Sequence, residues 1–352
     1  MAPAYPPLAV APRIRSTCLT AALLTLLVLR GTPGPADDGQ AALDRCLGDR
    51  RSLIVSNRMP YTPVRVQGAY GFFVVDLGSD GSAISPGTFL GGGRPVPAAG
   101  TADRFEGVDF FGPWGPLRLP VQDFSGIGDL LPQAGLIGTD LLASHVITID
   151  YGRSLLHRAE RDRFCADAVL RRAGFLAAST AGYYGPEAAS LTCPAAARTG
   201  RCPNIPTIPI RIGNVAAVAQ IDTGYDDGVH PPSLNINTAF LRQLRAAGVA
   251  LRPVPAADLS LSTCVRGVRE PVTAYRLAPP LALEFLGLTG SAVRSEPGVT
   301  LFVKNTPAAA RSCGGIGTWS EPAGQLGASF FSSQDALIVD PFTQRVWWRP
   351  RR

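Results

Sequence analysis

The chain contains almost no lysine and few histidines, and several common catalytic motifs are missing. Lys304 is the only lysine, and the three histidines (His145, His157 and His230) are scattered. No Cys-x-x-Cys pair occurs, so the spacing typical of a zinc site is missing and we expect no metal and no cofactor. The Gly-x-Ser-x-Gly and Gly-x-Gly-x-x-Gly motifs are also absent, so nothing supports a serine hydrolase or a dinucleotide-binding protein.

The composition is that of a folded protein rich in turns. The chain has 352 residues, enough for two ordinary domains. Apolar residues make up 46% and charged residues only 17%, which argues against wholesale disorder. The 38 glycines and 32 prolines favour turn-rich β structure over helical bundles.

The N-terminus has the pattern of a secretory signal. Arg13 and Arg15 precede an apolar run over residues 18–29, and Gly34-Pro35-Ala36 provides small residues for cleavage. The run is too short for a comfortable membrane span. We therefore expect a signal peptide over residues 1–36 and a periplasmic or secreted protein that does not stay in the membrane. The alternative is an uncleaved N-terminal membrane anchor.

The net charge and the number of cysteines bear on the binding partners and the cellular compartment of the protein. Removing residues 1–36 leaves 30 basic and 27 acidic residues, so no strong positive field for nucleic acid is expected. Six cysteines then remain, an even number that indicates disulfides in an exported chain. Connectivity stays open, and the pairing we favour is Cys46–Cys165, Cys193–Cys202 and Cys264–Cys313.

The chain contains an internal repeat. A mostly apolar run over residues 72–75 ends in Asp76, and another over residues 218–221 ends in Asp222; a glycine follows each aspartate two residues later. Pro63 and Pro209 each lie 13 residues before the aspartate of their copy. A carboxylate at the end of a buried strand is costly unless something partners it, and these two could partner each other.

The repeat continues downstream of both aspartates. Leu136-Ile137-Gly138 is followed by an apolar strand over residues 146–150, and Gln325-Leu326-Gly327 by one over residues 336–340. The order is the same in both copies: strand pair, Asp-x-Gly turn, long excursion, apolar-Gly segment and closing strand. Two similar lobes are therefore expected.

These motifs resemble aspartic proteases of the pepsin and retropepsin type. The resemblance rests on residues 76–79, on Asp222-Thr223-Gly224 and on the two apolar-Gly segments; residues 135–142 are especially similar to bacterial retropepsin-like domains. It implies an all-β, bilobal, pepsin-like acid-protease barrel fold with two pseudo-symmetric lobes and a few short helices. The lobes would span residues 37–158 and 205–352, with a connecting helix and linker over 159–204.

The resemblance also implies a site. Asp76 and Asp222 would be the catalytic pair, because two adjacent carboxylates share one proton and can act as acid and base on a water. The turn residues that would support the pair are Leu77, Gly78, Ser79, Thr223 and Gly224. The residues that would bind substrate are Tyr225, Asp226, Asp227 and Trp114.

Leu77 departs from the family pattern, which has threonine there. In the family the two threonine hydroxyls bond across to the opposite turn, so half of that lock is missing here. The expected function is an exported, monomeric aspartic endopeptidase acting on peptides or unfolded proteins. The alternatives are a degenerate peptide-binding module on the same fold, or a two-domain β protein whose aspartates are ordinary turn residues.

Local patterns predict four further elements. Residues 159–178 have the strongest helical pattern, and residues 238–247 predict a short helix. Residues 103–119 predict a hairpin with Gly and Pro at its tip, and residues 260–277 a second one. The aromatic side chains of the first hairpin fit a flap over the substrate and a core hairpin equally well.

Overall fold

Strands dominate the part of the chain that the structure describes. The computed structural model describes residues 35–351 apart from 86–87, 91–103, 106–107, 113–116, 123, 125–130, 181–204, 226–227, 229–230, 256–258, 264 and 266. The predicted signal over residues 1–36 lies almost wholly outside this range. Within it, no helix is long and apolar enough to cross a membrane, and no cluster of His, Cys, Asp and Glu could hold a metal ion.

The strands fall into two series separated by the undescribed segment 181–204. The first series is β1 (Asp49–Ser52), β2 (Ile54–Ser56), β3 (Met59–Val66), β4 (Ala69–Val75), β5 (Ala83–Ile84), β6 (Arg104–Phe105), β7 (Leu117–Arg118), β8 (Gln133–Ile137), β9 (Val146–Asp150), β10 (Leu155–Ala159) and β11 (Leu176–Ser179). The second series is β12 (Thr207–Ile212), β13 (Val215–Ile221), β14 (Ser233–Asn237), β15 (Leu251–Pro253), β16 (Leu259–Ser262), β17 (Arg269–Leu277), β18 (Ala282–Leu286), β19 (Ala292–Pro297), β20 (Thr300–Lys304), β21 (Ala323–Leu326), β22 (Gln334–Asp340) and β23 (Arg345–Pro350).

The helices are short. They are α1 (Pro35–Cys46), α2 (Thr139–Leu142), α3 (Asp167–Arg172), α4 (Thr238–Ala246) and α5 (Ala328–Ser332), with 3-10 turns at Ala308–Cys313 and Ile316–Thr318. The helix predicted over residues 238–247 is confirmed as α4, where the Asn237 side chain accepts a hydrogen bond from the Phe240 N–H at 2.9 Å. An asparagine at this position caps an otherwise unpaired donor of the first turn.

The first lobe is built on a five-stranded sheet with the order β2-β3-β4-β8-β5. β3 and β4 form a hairpin through Gln67 and Gly68, both with positive φ, as a tight two-residue turn requires. β8 then inserts between β4, to which it is parallel, and β5, to which it is antiparallel. The apolar-Gly segment at residues 136–138 therefore lies beside the end of the strand that leads to Asp76.

The second lobe repeats this arrangement inside a larger, ten-stranded sheet. β12 and β13 form the matching hairpin, and β21 inserts parallel to β13 and antiparallel to β14. The extra strands include the predicted second hairpin, which is confirmed as β16 paired with β17. The fold is therefore all-β and bilobal, with two pseudo-symmetric lobes.

A third sheet joins the two halves of the chain. Its order is β1-β10-β9-β22-β23-β11, so the closing strands of the two repeats, β9 and β22, pair with each other. The predicted disulfide Cys46–Cys165 is present and links the end of α1 to the segment before α3. The other two favoured pairings involve residues or side chains outside the described part of the chain.

The prediction of a long helix over residues 159–178 was wrong. Only α3 is helical, because residues 155–159 form β10 and residues 176–179 form β11, an edge strand of the shared sheet. Gly174, with φ of +86°, follows the end of the helix. Pairing of β11 with β23 and burial of Phe175 outweigh the helical pattern of the segment.

The first hairpin is present as β6 paired with β7, and the aromatic residues that the structure describes there, Phe105, Phe110 and Phe111, pack into or against the core. Phe105 and Phe110 are 0% and 2% exposed. Of the two interpretations that the sequence allowed, these side chains fit the core hairpin. The tip of the hairpin, including Trp114, lies outside the described residues.

Candidate active site

Asp76 and Asp222 each follow the last residue of a central strand. The Asp76 N–H donates to the Ile137 carbonyl and the Asp222 N–H to the Leu326 carbonyl, both at 2.9 Å. These carbonyls belong to the inserted strands β8 and β21, so the apolar-Gly segments anchor the two aspartates in equivalent ways. The structure thereby brings together two residues that are 146 positions apart in the sequence.

The two carboxyl groups contact each other across the lobes. They are hydrogen-bonded to one another, and Asp222 is only 8% exposed. The Gly78 N–H donates to Asp76 Oδ1 at 2.7 Å, and the Gly224 backbone N–H lowers the pKa of both carboxyl groups. Backbone donors and a neighbouring carboxyl therefore satisfy a pair of acids that would otherwise be costly to bury.

The turn glycines pack against the opposite carboxyl groups. A Cβ atom on Gly78 would lie 2.1 Å from Asp222 Cγ, and one on Gly224 would lie 2.3 Å from Asp76 Cγ. Both distances are far below van der Waals contact, so only glycine fits at either position. This reciprocal packing is the strongest evidence that the two turns form one site.

Thr223 locks the two turns together from one side. Its hydroxyl donates to the Val75 carbonyl at 2.6 Å and accepts from the Leu77 N–H at 3.0 Å. Leu77, the residue equivalent to Thr223, has no hydroxyl to return these bonds, and its side chain is fully buried in the main core. The lock is therefore one-sided, as the sequence predicted.

Replacing Thr223 by valine keeps the side-chain shape but removes both bonds. We expect a loss of about 2 kcal/mol in the free energy of unfolding, because the buried Leu77 N–H would lose its acceptor. Urea unfolding followed by circular dichroism measures this loss. Thr289→Val, at an exposed position, is the control and should change stability little. Equal stability of the two variants would contradict the proposed lock.

Hydrogen bonds behind the turns hold them to the short helices α2 and α5, which follow the inserted strands. The Thr139 N–H donates to the Ser79 carbonyl, and the Ala328 N–H to the Tyr225 carbonyl, both at 2.9 Å. In the first lobe the Ser82 hydroxyl also donates to Asp140 Oδ1 at 2.6 Å. The Ser79 hydroxyl donates to the Gly81 carbonyl at 2.7 Å, so Ser79 supports the turn through its backbone and local bonding.

Burial raises the pKa of Asp76 well above the ordinary aspartate value, and the negative charge of Asp222 raises it further. Burial also raises the pKa of Asp222, although the Gln325 amide and the positive charge of Lys304 oppose that shift. Two carboxyl groups in contact share a proton. The pKa of both carboxyl groups is therefore raised, and that of Asp76 is raised more strongly.

These shifts predict how the pair affects stability. A raised pKa in the folded state means that stability is fully present below the ordinary aspartate pKa of about 3.9 and is lost as the pH rises through the folded value. Asp76→Asn cannot ionise, so we expect its melting temperature to exceed that of the wild type more at pH 7 than at pH 3. Thermal unfolding at both pH values measures this difference. Asp162→Asn, at an exposed position outside the site, is the control for the substitution itself.

Three polar residues beside Asp222 were not among the predicted site residues. Gln325 Nε2 donates to Asp222 Oδ2 at 2.5 Å, and Asn235 Nδ2 donates to Gln325 Oε1 at 3.0 Å. Lys304, the only lysine of the chain, acts on Asp222 through its charge and lies 3.5 Å from Glu270. The available signal was Gln325 itself, a polar residue in a segment that is apolar in the first copy.

The predicted substrate-binding residues are only partly described. Tyr225 is half-buried and adjoins the second turn. Asp226, Asp227 and Trp114 lie outside the described residues, so their role stays a prediction.

Comparisons with known proteins find similar folds only among solved structures. The chain is similar to the aspartic proteinase from Irpex lacteus, with 11% identity, 86% of this chain and 97% of that chain covered, and a TM-score of 0.40. It is also similar to basic 7S globulin from soybean, with 10% identity, 85% and 95% coverage and a TM-score of 0.39. No protein-family model and no curated protein matches.

Proposed function

We propose that this protein is an exported aspartic endopeptidase of the retropepsin-like type that hydrolyses peptides or unfolded proteins as a monomer. The observation that carries the proposal is the contact between the Asp76 and Asp222 carboxyl groups at the junction of the two lobes. The Gly78 N–H holds Asp76 and the Gln325 amide holds Asp222, and each carboxyl group faces a glycine of the opposite turn. The Cys46–Cys165 disulfide supports export to an oxidising compartment.

The asymmetric pair can catalyse hydrolysis in two steps. Ionised Asp222 takes a proton from a water whose oxygen bonds to the carbonyl carbon of the substrate, while Asp76 gives its proton to the carbonyl oxygen. Asp222 then passes its proton to the amide nitrogen as the C–N bond breaks, and Asp76 recovers a proton from the former carbonyl oxygen. The products are a carboxylic acid and an amine, and the pair again holds one proton.

A peptide-binding module without turnover is the second candidate. Leu77 favours it, because the lock between the turns is made by Thr223 alone. In this candidate the residues around the pair would hold an extended peptide without cleaving it. The fold by itself does not distinguish the two functions.

Digestion of denatured casein by the purified protein between pH 3 and 7 tests the proposal. We expect fragments at mildly acidic pH, and we expect a statine-containing peptide, which mimics the tetrahedral intermediate, to suppress them. Binding of that peptide without any cleavage would select the binding module. If the protein neither cleaves casein nor binds the peptide, both candidates are wrong.

A further inference from the structure

The two repeats differ in the residues that face each other beside the aspartates. In the second lobe Gln325 on β21 pairs with Gln220 on one side and with Asn235 on the other. The equivalent residue of β8 in the first lobe is Leu136, which pairs with Val74 and Ala83. An amide pair, Gln325 and Asn235, therefore stands in one lobe where the other has two apolar side chains.

The amide pair is oriented toward Asp222. Asn235, which is 2% exposed, lies on β14 between β20 and β21 and donates its side-chain N–H to Gln325 Oε1. With its oxygen occupied in this way, the Gln325 amide presents its NH₂ group to Asp222 Oδ2, at 2.5 Å. A hydrogen bond to a carboxylate is stronger than one between neutral groups, so this contact favours the ionised form of Asp222.

Among the described residues, Asp76 from the first lobe and Lys304 from β20 also act on Asp222, and Lys304 is itself paired with Glu270. On the other side of the pair, the Ser79 hydroxyl is directed to the Gly81 carbonyl. The Gln325 side chain thus donates a hydrogen bond to Asp222. Leu136, the equivalent residue in the first lobe, has no donor to offer Asp76.

We propose that Gln325, held in place by Asn235, is a positioning residue that makes Asp222 the ionised, water-activating member of the pair and leaves the shared proton on Asp76. This assignment rests on the proposed function. It gives a physical reason why the pair is asymmetric although the two turns are built alike. It also gives a role to the polar residue that interrupts the apolar-Gly motif.

Gln325→Met tests the assignment, because methionine has a similar length but no donor. We expect the acid limb of the kcat/KM profile to move to higher pH and kcat/KM on that limb to fall about tenfold, because ionised Asp222 loses a charge-assisted bond. The fall should appear in kcat, with KM little changed. The control is Gln334→Met, because the Gln334 amide donates to the Phe330 carbonyl rather than to a carboxylate.

A second measurement does not depend on activity. Carbon-13 NMR of the aspartate carboxyl groups, assigned with Asp76→Asn and Asp222→Asn, follows their titration directly. We expect the Asp222 signal to titrate at higher pH in Gln325→Met than in the wild type. In Asn235→Ala we expect a smaller displacement in the same direction. The Asn235→Ala variant replaces Gln325→Met in this test if Gln325→Met does not fold.

The two measurements separate failure of this inference from failure of the proposed function. If the wild type cleaves nothing but the Asp222 titration still moves in Gln325→Met, the positioning role stands without the protease. An unmoved titration and an unmoved acid limb would overturn the inference, whether or not casein is cleaved. A raised KM with an unmoved profile would also overturn it, because Gln325 would then act by contacting the substrate.

Discussion

Asp222→Asn should lower the rate of casein hydrolysis by about 10²–10⁴-fold, the range typical of general acid–base catalysis. Asparagine has nearly the same shape as aspartate, so the contacts with Gly78 and Gln325 can persist, but its amide cannot accept a proton from water. We therefore expect a folded and inactive protein. Release of acid-soluble fragments from denatured casein at mildly acidic pH measures the rate, and circular dichroism confirms the fold.

Asp162→Asn is the matched control for this experiment, because Asp162 is exposed on a turn outside the site. It should digest casein at the wild-type rate. If Asp222→Asn digests casein as fast as the wild type, the acid pair is not the catalyst and the protease function is wrong. If only Asp222→Asn fails to cleave, the activity belongs to this chain and not to a contaminating protease.

Gly224→Ala should abolish activity and destabilise the protein by about 1–3 kcal/mol or more. The added Cβ would lie 2.3 Å from Asp76 Cγ, so either the carboxyl group or the turn must move. Movement of either would disrupt the contact between the two carboxyl groups. Gly78→Ala should have the same effect from the other lobe, because its Cβ would lie 2.1 Å from Asp222 Cγ.

Gly81→Ala is the matched control, because Gly81 lies in the first-lobe turn that also contains Gly78. A Cβ on Gly81 would meet no atom within 4 Å, so the substitution should be accepted. Urea unfolding and the casein assay together distinguish the variants. If Gly224→Ala has wild-type stability and activity, the two turns do not pack against each other. The described contact between Asp76 and Asp222 would then be wrong.

Much of the fold is encoded in local pattern. The matched spacing from Pro63 to Asp76 and from Pro209 to Asp222 predicted two lobes, and both copies form the same hairpin and inserted strand. Alternation along a strand and an Asp-x-Gly turn are local signals, so a sequence can display them without knowledge of the partner strands. The α4 helix, with its capping asparagine at position 237, was predictable for the same reason.

Other elements depend on contacts between distant segments. Residues 159–178 have a helical pattern, but β11 gains more from pairing with β23 and from burial than a helix would gain there. The shared sheet, in which β9 meets β22, requires both lobes to be complete. Nothing in the pattern of either strand specifies this partner.

The site, too, has features that follow from the sequence and features that depend on the tertiary structure. The sequence by itself determined which two aspartates are paired, because each copy carries one of them at the end of a central strand before a turn glycine. Only the tertiary structure decided that Gly78 and Gly224 press on the opposite carboxyl groups and that Asn235 orients Gln325 toward Asp222. The physical reason is that the register between strands far apart in the chain sets which side chains meet, and that register depends on the packing of the whole molecule.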